Sequence, residues 1–370
     1  MQQSHKVATK GGTISPYSTG YDKVMAHRTG DLFASTAKKK GVVIAVDPKS
    51  TVTIKYDDGE VVSLQIGKRY GVVTGTVIPH EVVTSLKVGD KVKEGTLISH
   101  NTGFFQVDPL YPSQVVLKTG VIVKTALMEC TQTFEDSCEI DSWVADQIET
   151  NTTVVKDITV DFSDHVRNMV TINTQVNTET ILCILESEVT GDSDLFDEET
   201  LQTLANLSAK APKAGTQGVV EKIEVFYHGD IEDMSESLRV LAEKSDRERA
   251  SFERKMGRKP ITGFVGPSVR MGRDPLALDQ AMIKVYINHK IGGGVGDKGV
   301  FANQLKTVIS NVLTGVNETE SGIPVRANFS YKSIANRMVE SPNLIGTTIT
   351  LLKIMSDRVY KLYLKKKGNK

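Results

Sequence analysis

Short strand patterns follow one another closely through the first third of the chain. Alternating apolar residues in 41–46 and 51–56 predict two strands, and Asp58-Gly59 predicts a hairpin turn into a third strand at 60–64. Further strand patterns occur near 71–78, 95–99 and 114–124. Such a density of short strands between glycine turns favours a barrel or a sandwich over alternating βα units. We therefore expect a mainly β protein with some helices, of the α+β class.

Composition limits what kind of protein this chain forms. With 370 residues, of which 39% are hydrophobic, the chain is large enough for two or three folded units. Its 45 basic and 45 acidic residues give a formal net charge of zero, so any contact with nucleic acid must come from local clusters. The three cysteines and seven histidines have no metal-ligand spacing, and the odd cysteine number is typical of a reducing cytoplasm. The sequence predicts neither a membrane span nor a signal peptide.

The segment 283–299 joins a strand pattern to a glycine-rich loop. Every second residue from Ile283 to Ile287 is apolar, which predicts a half-buried strand. Lys290 and Lys298 stand on either side of a loop with five glycines: Gly292, Gly293, Gly294, Gly296 and Gly299. Glycine lets the backbone approach a bulky partner, and lysine supplies a compact positive charge. The pattern therefore indicates phosphate binding, although a solvated hairpin with surface lysines explains it equally well.

The chain divides into segments of different character. We expect an extended arm at 1–40, a β-rich unit at 41–150, an inserted module at 151–282, a second strand-rich part at 283–350 and a basic tail at 351–370. The inserted module is expected to contain strands at 154–162, 180–189 and 218–227, an acidic patch at 191–199, and helices at 198–208 and 232–256. After the glycine loop, the sequence predicts a helix at 300–313 and an extended segment at 322–329.

Two neighbouring carboxylates form a second motif, far upstream of the glycine loop. Glu135 and Asp136 follow the strand pattern at 120–127, within a Thr-Phe-Glu-Asp-Ser segment. Carboxylates at a strand end can hold the hydration shell of a metal or orient basic partners. A pair of this kind is also common on protein surfaces, so it has little meaning alone.

The order of these motifs resembles the C-terminal half of the β subunit of multisubunit DNA-directed RNA polymerases. That family has a Phe-Glu-Asp segment after a barrel strand, a lysine-flanked glycine loop, and then an Arg-Met segment. The corresponding residues here are Glu135-Asp136, the loop 290–300 and Arg337-Met338, and the two lysines keep the family's separation. The resemblance covers roughly residues 1–350 and includes 88–95 and 219–228. The chain is also similar to the split β-like subunits of giant (jumbo) bacteriophage polymerases.

The resemblance implies a fold and a division of labour between chains. Residues 41–150 and 283–350 would form a double-psi β-barrel, and 151–282 would be a flap-like module. The catalytic Mg²⁺ would be held by a β′-like subunit through an Asn-Ala-Asp-Phe-Asp-Gly-Asp motif, which this sequence lacks. The chain would thus be inactive alone. Implied partners are β′-like subunits, an N-terminal β-like subunit, a promoter-specificity factor at the flap-like module, template DNA, nascent RNA and nucleoside triphosphates, with no membrane.

The same resemblance implies roles for individual residues. Lys290 and Lys298 would act at the RNA 3′ end and the α-phosphate, and Arg337 would hold the β- and γ-phosphates of the incoming nucleotide. Glu135 and Asp136 would lie in the second shell of the nucleotide-bound Mg²⁺. The expected location is the cytoplasm, which would be that of an infected bacterium, or a virion, if the chain is phage-encoded.

The loop departs from the family pattern in its charge. The family's Arg-His pair is replaced by Gly294-Val295, and the family's asparagine before the second lysine is Asp297. The Pro-Ser before the arginine is replaced by Ala335-Asn336. The loop therefore carries less positive charge than its counterpart in the family.

Two other functions fit parts of the pattern. Residues 294–299 match G-x-G-x-x-G, which with a preceding strand and a following helix would indicate a dinucleotide-binding oxidoreductase using Glu318 or Glu320 as the ribose ligand. That fold needs successive βαβ units, which the hairpin-type strands upstream do not predict. A non-enzymatic β-barrel scaffold is the other alternative, and it predicts that the five charged site residues lie far apart in space.

Overall fold

The computed structural model describes residues 2–7, 30–73, 76–108, 114–118, 120–186, 211–271, 274–302, 304–315, 317–337 and 340–368, with residues 2–7 described by their backbone only. The protein is mainly β with some helices, which confirms the expected class. Among these residues, no helix combines the length and the apolar character needed to cross a membrane.

The strands are, in chain order, β1 (Gln2–Val7), β2 (Ala34–Thr36), β3 (Gly41–Asp47), β4 (Thr51–Tyr56), β5 (Val61–Gln65), β6 (Gly67–Val73), β7 (Thr76–Val83), β8 (Lys91–Val92), β9 (Leu97–Asn101), β10 (Phe105–Val107), β11 (Val115–Leu117), β12 (Val121–Leu127), β13 (Ser137–Asp141), β14 (Thr150–Asp161), β15 (His165–Arg167), β16 (Gln175–Val176), β17 (Ile184–Glu186), β18 (Gly218–His228), β19 (Gln280–Ile291), β20 (Lys298–Phe301), β21 (Leu305–Leu313) and β22 (Ala327–Phe329). The helices are α1 (Ser142–Gln147), α2 (Glu236–Lys255), α3 (Tyr331–Asn336) and α4 (Ser341–Gly368), with a 3₁₀ turn at Ile231–Asp233.

Six strands close into a barrel in the order β1-β12-β22-β13-β21-β20. The β12–β22 and β13–β21 pairs are parallel, and the other pairs are antiparallel. Every second residue of β12 is buried, because alternate side chains of a strand point to opposite faces. The barrel interior is filled by a core that includes Val121, Val123, Cys138, Ile140, Phe301, Leu305, Ile309, Ala327 and Phe329.

The first barrel strand comes from the segment that the sequence predicts to be an extended arm. β1 pairs with β12 from Gln2–Ala126 to Val7–Val121, and Val7 also pairs with Phe301 of β20. For residues 2–7 of the arm the partner surface is the chain's own barrel, whereas residues 34–36 form β2 and pair with β9 of the second sheet. β1 thereby closes the barrel between β12 and β20.

A second sheet contains eight strands in the order β16-β18-β19-β14-β7-β9-β2, with β6 paired to β7. β19 pairs with β14 over twelve residues, from Gln280–Asp161 to Ile291–Thr150, and with β18 on its other side. Its residues Ile283, Val285 and Ile287 are buried, which confirms the predicted strand, and α2 packs near them through Leu238 and Ala242.

The expected boundary between 282 and 283 falls inside β19. Buried residues occur on both sides of this point, from Ala281 to Ile287, and the strand is continuous in its hydrogen bonding. The division at 283 implied that β19 belongs to the barrel. The strand lies instead in the second sheet. Of the predicted second part, the barrel takes β20, β21 and β22.

A third sheet has the order β5-β4-β3-β8 and confirms the predicted hairpins near the start. The turn between β4 and β5 has Gly59 at φ 89°, a conformation that side-chain-bearing residues rarely adopt. Val43, Val52 and Ile54 form its core with Ile66. Two small sheets, β10–β11 and β15–β17, complete the described strands.

Of the other predicted elements, one helix is replaced by strands. The helix predicted at 300–313 is wrong, since these residues form β20 and β21; Leu305, Thr307 and Ile309 are buried alternately, which is the period of a strand. The helix predicted at 232–256 is confirmed as α2. The predicted tail at 351–370 is helical through Gly368, as part of α4. The acidic patch at 191–199 and the helix at 198–208 lie outside the described residues.

Candidate functional site

A tightly wound turn between β12 and β13 carries the acidic pair. Thr133 is buried, and its hydroxyl accepts a hydrogen bond from the Cys130 backbone N–H at 2.9 Å and donates to the Met128 carbonyl at 3.2 Å. The Ser137 hydroxyl donates to the Phe134 carbonyl at 2.5 Å. These side-chain bonds replace the regular ladder that a turn cannot form, so the turn has a defined shape.

Glu135 and Asp136 lie at the exposed end of this turn. Glu135 has φ 54°, a left-handed conformation that non-glycine residues seldom adopt. Its carbonyl accepts a hydrogen bond from the Ser333 hydroxyl of α3. The Asp136 carbonyl accepts from the Val308 N–H of β21 at 2.9 Å, which extends the pairing of β13 with β21 by one residue beyond the strand. The turn is therefore attached to the barrel on one side and to α3 on the other.

Arg337 forms a direct ion pair with the acidic turn. It is the C-cap residue of α3, and its Nη2 donates a hydrogen bond to Asp136 Oδ1 at 2.6 Å. The start of α3 is held by Glu129. Its Oε1 accepts hydrogen bonds from the Ser330 hydroxyl at 2.9 Å and from the Lys332 backbone N–H at 2.7 Å. The segment that carries Arg337 is thus held against the acidic turn.

Lys298 lies on the same side of the barrel, two strands away from the acidic turn. It is the first residue of β20 and pairs with Val308 of β21, which in turn pairs with Ser137 of β13. The strand spacing places its Cα roughly 10 Å from that of Ser137. The side chain is exposed, and no carboxylate of the described residues forms a salt bridge with it. Its ammonium group is available to an anionic ligand.

Lys290 lies on the other sheet, near the end of β19. Its Nζ forms a salt bridge of 2.8 Å with Glu149 Oε1, just after α1. The hydrogen bond to the Glu149 carboxylate, together with the charge of that group, raises the pKa of Lys290 above its usual value. Lys290 therefore stays protonated, but a carboxylate balances its charge. The structure brings Lys298, Arg337 and the acidic pair together, whereas it holds Lys290 in a separate ion pair.

Two of the five loop glycines have a clear structural reason. A Cβ at Gly293 would lie 2.2 Å from Ile148 Cγ1 and 3.1 Å from the Ala145 carbonyl oxygen, so only glycine fits against α1 there. Gly296 has φ 94°, and its N–H donates to the Ile309 carbonyl at 2.8 Å. Gly292 and Gly294 have open space where a Cβ would be, and at Gly299 a Cβ would make only an ordinary contact.

A cavity of about 460 Å³ opens between the glycine loop, α1 and the barrel. Its wall is mostly apolar and also contains Lys298, Asp297 and Thr150. The Asp297 carboxylate accepts a hydrogen bond from the Gly294 N–H at 2.8 Å, which shapes the loop at the cavity edge. Lys298 thus lies at the barrel surface and also lines this cavity.

Glu139 is a residue of the site region that the sequence does not single out. Its side chain lies beneath the acidic turn and the residue is 8% exposed. Its carboxylate accepts hydrogen bonds from Asn328 Nδ2 at 3.0 Å, Asn311 Nδ2 at 3.1 Å and Cys130 Sγ at 3.5 Å. Burial alone would raise the pKa of Glu139, but these hydrogen bonds outweigh it and leave the pKa below its usual value. The sequence feature that could have identified it is a glutamate placed between two apolar residues, Cys138 and Ile140.

This arrangement offers cations and carboxylates that suit a phosphorylated ligand. No group of three or more His, Cys, Asp or Glu side chains that could hold a metal ion occurs in the part of the chain that the structure describes. The acidic pair offers two neighbouring carboxylates on an exposed turn, which can accept hydrogen bonds from metal-bound water or orient a cation. Lys298 and Arg337 lie on either side of that turn.

The dinucleotide-binding alternative is contradicted by the element that follows the glycines. The fingerprint requires a helix whose N-terminus meets the pyrophosphate, but Lys298 begins strand β20. Glu318 and Glu320 lie between β21 and β22 and not after a βαβ unit. The scaffold alternative predicts dispersed site residues, whereas four of the five are brought to one side of the barrel.

No protein-family model and no curated protein sequence matches the chain. Function is therefore inferred from the residues and their geometry.

Proposed function

We propose that the chain is the C-terminal β-like subunit of a multisubunit DNA-directed RNA polymerase, a nucleotidyltransferase that is active only in its complex. The observation that carries this proposal is the convergence of three distant sequence motifs on one side of the barrel. Asp136 and Arg337 are 201 residues apart in the chain and form an ion pair, and Lys298 stands two strands away.

The closed barrel is proposed to be of the double-psi type. Two parallel strand pairs, β12–β22 and β13–β21, alternate with antiparallel pairs in an order that does not follow the sequence. This mixture supports the assignment, because a simple meander would give antiparallel neighbours throughout. In the proposed enzyme, this barrel would face a matching barrel of a β′-like subunit.

The chemistry proposed for this surface is positioning and charge stabilisation. Extending an RNA chain requires the 3′-hydroxyl to be aligned with the α-phosphate of a nucleoside triphosphate, while negative charge develops on the phosphate oxygens. Lys298 would stabilise charge at the α-phosphate, where a fixed cation contributes most in the transition state. Lys290 would act nearer to the RNA 3′ end, after its contact with Glu149 is exchanged for one with phosphate.

Arg337 is proposed to bind the β- and γ-phosphates of the incoming nucleotide. A guanidinium group presents donors in a plane and can bind two phosphate oxygens at once. Its Nη2 is occupied by Asp136, which leaves other N–H groups of the fork for the ligand. Asp136 would therefore orient Arg337 before the nucleotide arrives.

The proposed enzyme uses Mg²⁺ held mainly by the β′-like subunit. When bound, Mg²⁺ neutralises phosphate charge and lowers the pKa of the attacking hydroxyl. Glu135 and Asp136 fit a role in its second shell, since both carboxylates are exposed at the end of a rigid turn and hard oxygen ligands suit this ion. Asp136 would serve two partners, the hydrated ion and Arg337.

All of these contacts are with phosphate or sugar, so they carry no base information. Template DNA would select the nucleotide by pairing, and an N-terminal β-like subunit would complete the β portion. The module at 151–282, which includes β18, α2 and most of β14, would cover the exit path of nascent RNA and dock a promoter-specificity factor. The complex would act in the cytoplasm, or be packaged in a virion if it is phage-encoded.

The test is purification of the full-length chain with the polypeptides that associate with it. We expect a companion chain with the aspartate metal motif, and we expect the complex to extend an RNA primer on a DNA template in a Mg²⁺-dependent manner. The chain alone should not extend the primer. Extension by the isolated chain would contradict the proposal, and so would a stable, complete complex that contains no chain with that motif.

A further inference from the structure

Helix α4 extends well beyond the barrel on which it starts. Its first part packs against β1, with Pro342, Gly346 and Ile349 buried, and the Ser341 hydroxyl accepts a hydrogen bond from Gln304 Nε2 at 2.7 Å. From 353 to 367 every residue is exposed. This outer part is roughly 20 Å long at the rise of an α-helix. Within the described residues, nothing covers it.

An apolar face runs along α4 from Leu351 into its outer part. At about 100° per residue, six side chains fall within an arc of about 120°: Leu351, Leu352, Met355, Val359, Leu362 and Tyr363. Five of the six residues, all except Leu352, are 58–66% exposed. The spacing of Leu352, Met355, Val359 and Leu362 is that of a helix whose anchors enter a groove. A contiguous apolar surface of this kind marks an interaction site.

The charges on α4 are strongly one-sided. The helix has six basic residues and one acidic residue, Asp357. The three lysines at 365–367 are in the last turn, where cations interact favourably with the helix dipole. Lys353, Arg358 and Lys361 lie further back, so the dipole does not account for them. A surface that binds this helix must carry acidic groups beside its apolar contact.

We infer that the outer part of α4 docks into an apolar groove with a carboxylate rim on a companion subunit, an inference that rests on the multisubunit assembly proposed above. Charge complementarity points to an acidic rim. A groove also fits because Tyr360, which lies about 60° beyond Tyr363 at the edge of the apolar face, is 62% exposed. A groove covers the flanks of a helix, whereas a flat surface covers one face. Pairing with a second copy would bring twelve basic residues together with two acidic ones.

The test uses the full-length chain in complex with its companions, and a photo-crosslinking amino acid at position 355 or 361. Met355 lies on the apolar face and Lys361 on the opposite face, so the second position is the matched control. We expect position 355 to crosslink to a companion chain, at a segment rich in Asp and Glu, at a yield about tenfold above position 361. Crosslinking mainly to a second copy of this chain, or equal yields at both positions, would overturn the inference.

Substitution separates the apolar contribution from the charge. We expect Met355→Lys with Val359→Lys to weaken the complex by ~10²-fold, since two apolar side chains that would be buried in the groove are lost. Arg358→Ala, at the edge of the apolar face, should weaken it by less and reduce its salt dependence. The melting temperature of the isolated chain should stay unchanged in both variants, because the substituted residues are exposed. Wild-type affinity of the variant that combines Met355→Lys and Val359→Lys would overturn the inference.

Two further measurements exclude other occupants and separate this inference from the proposed function. Stronger binding of the isolated chain to vesicles containing phosphatidylserine than to the companion would overturn it in favour of a membrane surface. Primer extension by the complex is measured in parallel. If position 355 fails to crosslink while the complex extends RNA, the docking inference fails and the proposed function stands. If position 355 crosslinks to an acidic groove in a complex without extension activity, the docking stands and the proposed function fails.

Discussion

The Arg337 guanidinium donates a hydrogen bond to the Asp136 carboxylate across 2.6 Å, between two segments that are 201 residues apart in the chain. Both side chains are partly exposed, so the pair adds little to stability, about 0–1 kcal/mol. The pair matters for geometry, because it fixes the direction of the guanidinium group that we propose binds phosphate. It also joins α3 to the acidic turn, which β21 holds from the other side.

We expect Arg337→Ala to raise the KM for nucleoside triphosphates by about tenfold or more, since a charge-assisted hydrogen bond to phosphate is lost. The maximal rate should fall less, because Arg337 is proposed to contact the β- and γ-phosphates, which are not transferred to the RNA. Arg337→Lys should recover part of the affinity. The measurement is single-nucleotide addition by the assembled complex over a range of nucleotide concentrations. An unchanged KM in Arg337→Ala would exclude this role.

Lys298 and Lys290 can be separated by their partners. We expect Lys298→Ala or Lys290→Ala to slow elongation by ~10²-fold, equivalent to about 2.7 kcal/mol. Glu149→Gln should have a small effect, because it releases Lys290 and leaves its charge in place. Lys244→Ala, at an exposed position of α2, is the control for loss of a lysine elsewhere. Extension at the wild-type rate by either lysine variant at saturating nucleotide would refute its role.

The close approach of the glycine loop to α1 predicts a difference between two adjacent glycines. Gly293→Ala should destabilise the chain by about 1–3 kcal/mol, since its Cβ would overlap Ile148 beside a fixed backbone carbonyl. Gly294→Ala should be neutral or stabilising by up to about 1 kcal/mol, because its Cβ meets open space and its φ is ordinary. Urea denaturation of the isolated chain measures both. Equal free energies of unfolding for the two variants would show that the contact is not rigid.

Sequence patterns predicted those parts of the fold in which local period and burial agree. β3, β4 and β5 are short apolar segments with Gly59 in the turn between β4 and β5, and β19 alternates through Ile287. The helix wrongly predicted at 300–313 is a case in which local and tertiary preferences differ. β21 is placed by its parallel neighbour β13, in which Ser137 pairs with Val308. Pairing between segments so far apart in the chain leaves no local signal.

The candidate site shows the same limit. The sequence motifs identified its charged residues, and the order of the motifs implied that these residues act at one site. No pattern indicated that Glu149 pairs with Lys290, since the two meet only through the pairing of β14 with β19. The sequence pattern assigned the five glycines one role in a phosphate-binding loop, but only Gly293 and Gly296 need to be glycine for a reason seen in the structure. The roles of neighbouring residues in a motif thus depend on contacts made elsewhere.

Glu139 gives a prediction about pH that is independent of catalysis. Its carboxylate is buried on hydrogen bonds from two asparagines and a thiol, and its pKa is lowered in the folded state. A group with a lowered folded-state pKa stabilises the protein above its unfolded-state pKa. That contribution disappears as the pH falls through the folded-state value. The wild-type chain should therefore lose stability on acidification partly through Glu139.

Two substitutions test this network. Glu139→Ala should cost about 3 kcal/mol at neutral pH, since the buried amide donor of Asn328 and the partly buried one of Asn311 are left without an acceptor. Glu139→Gln should cost less, because its amide can donate to Asn328 Oδ1, a buried oxygen with no hydrogen-bond partner among the described residues. Urea denaturation of the isolated chain gives the free energy of unfolding at pH 7 and at successively lower pH. The difference between wild type and Glu139→Gln should shrink as the pH falls below the ordinary pKa of glutamate. Parallel pH profiles for the two proteins would mean that Glu139 does not ionise differently in the folded chain.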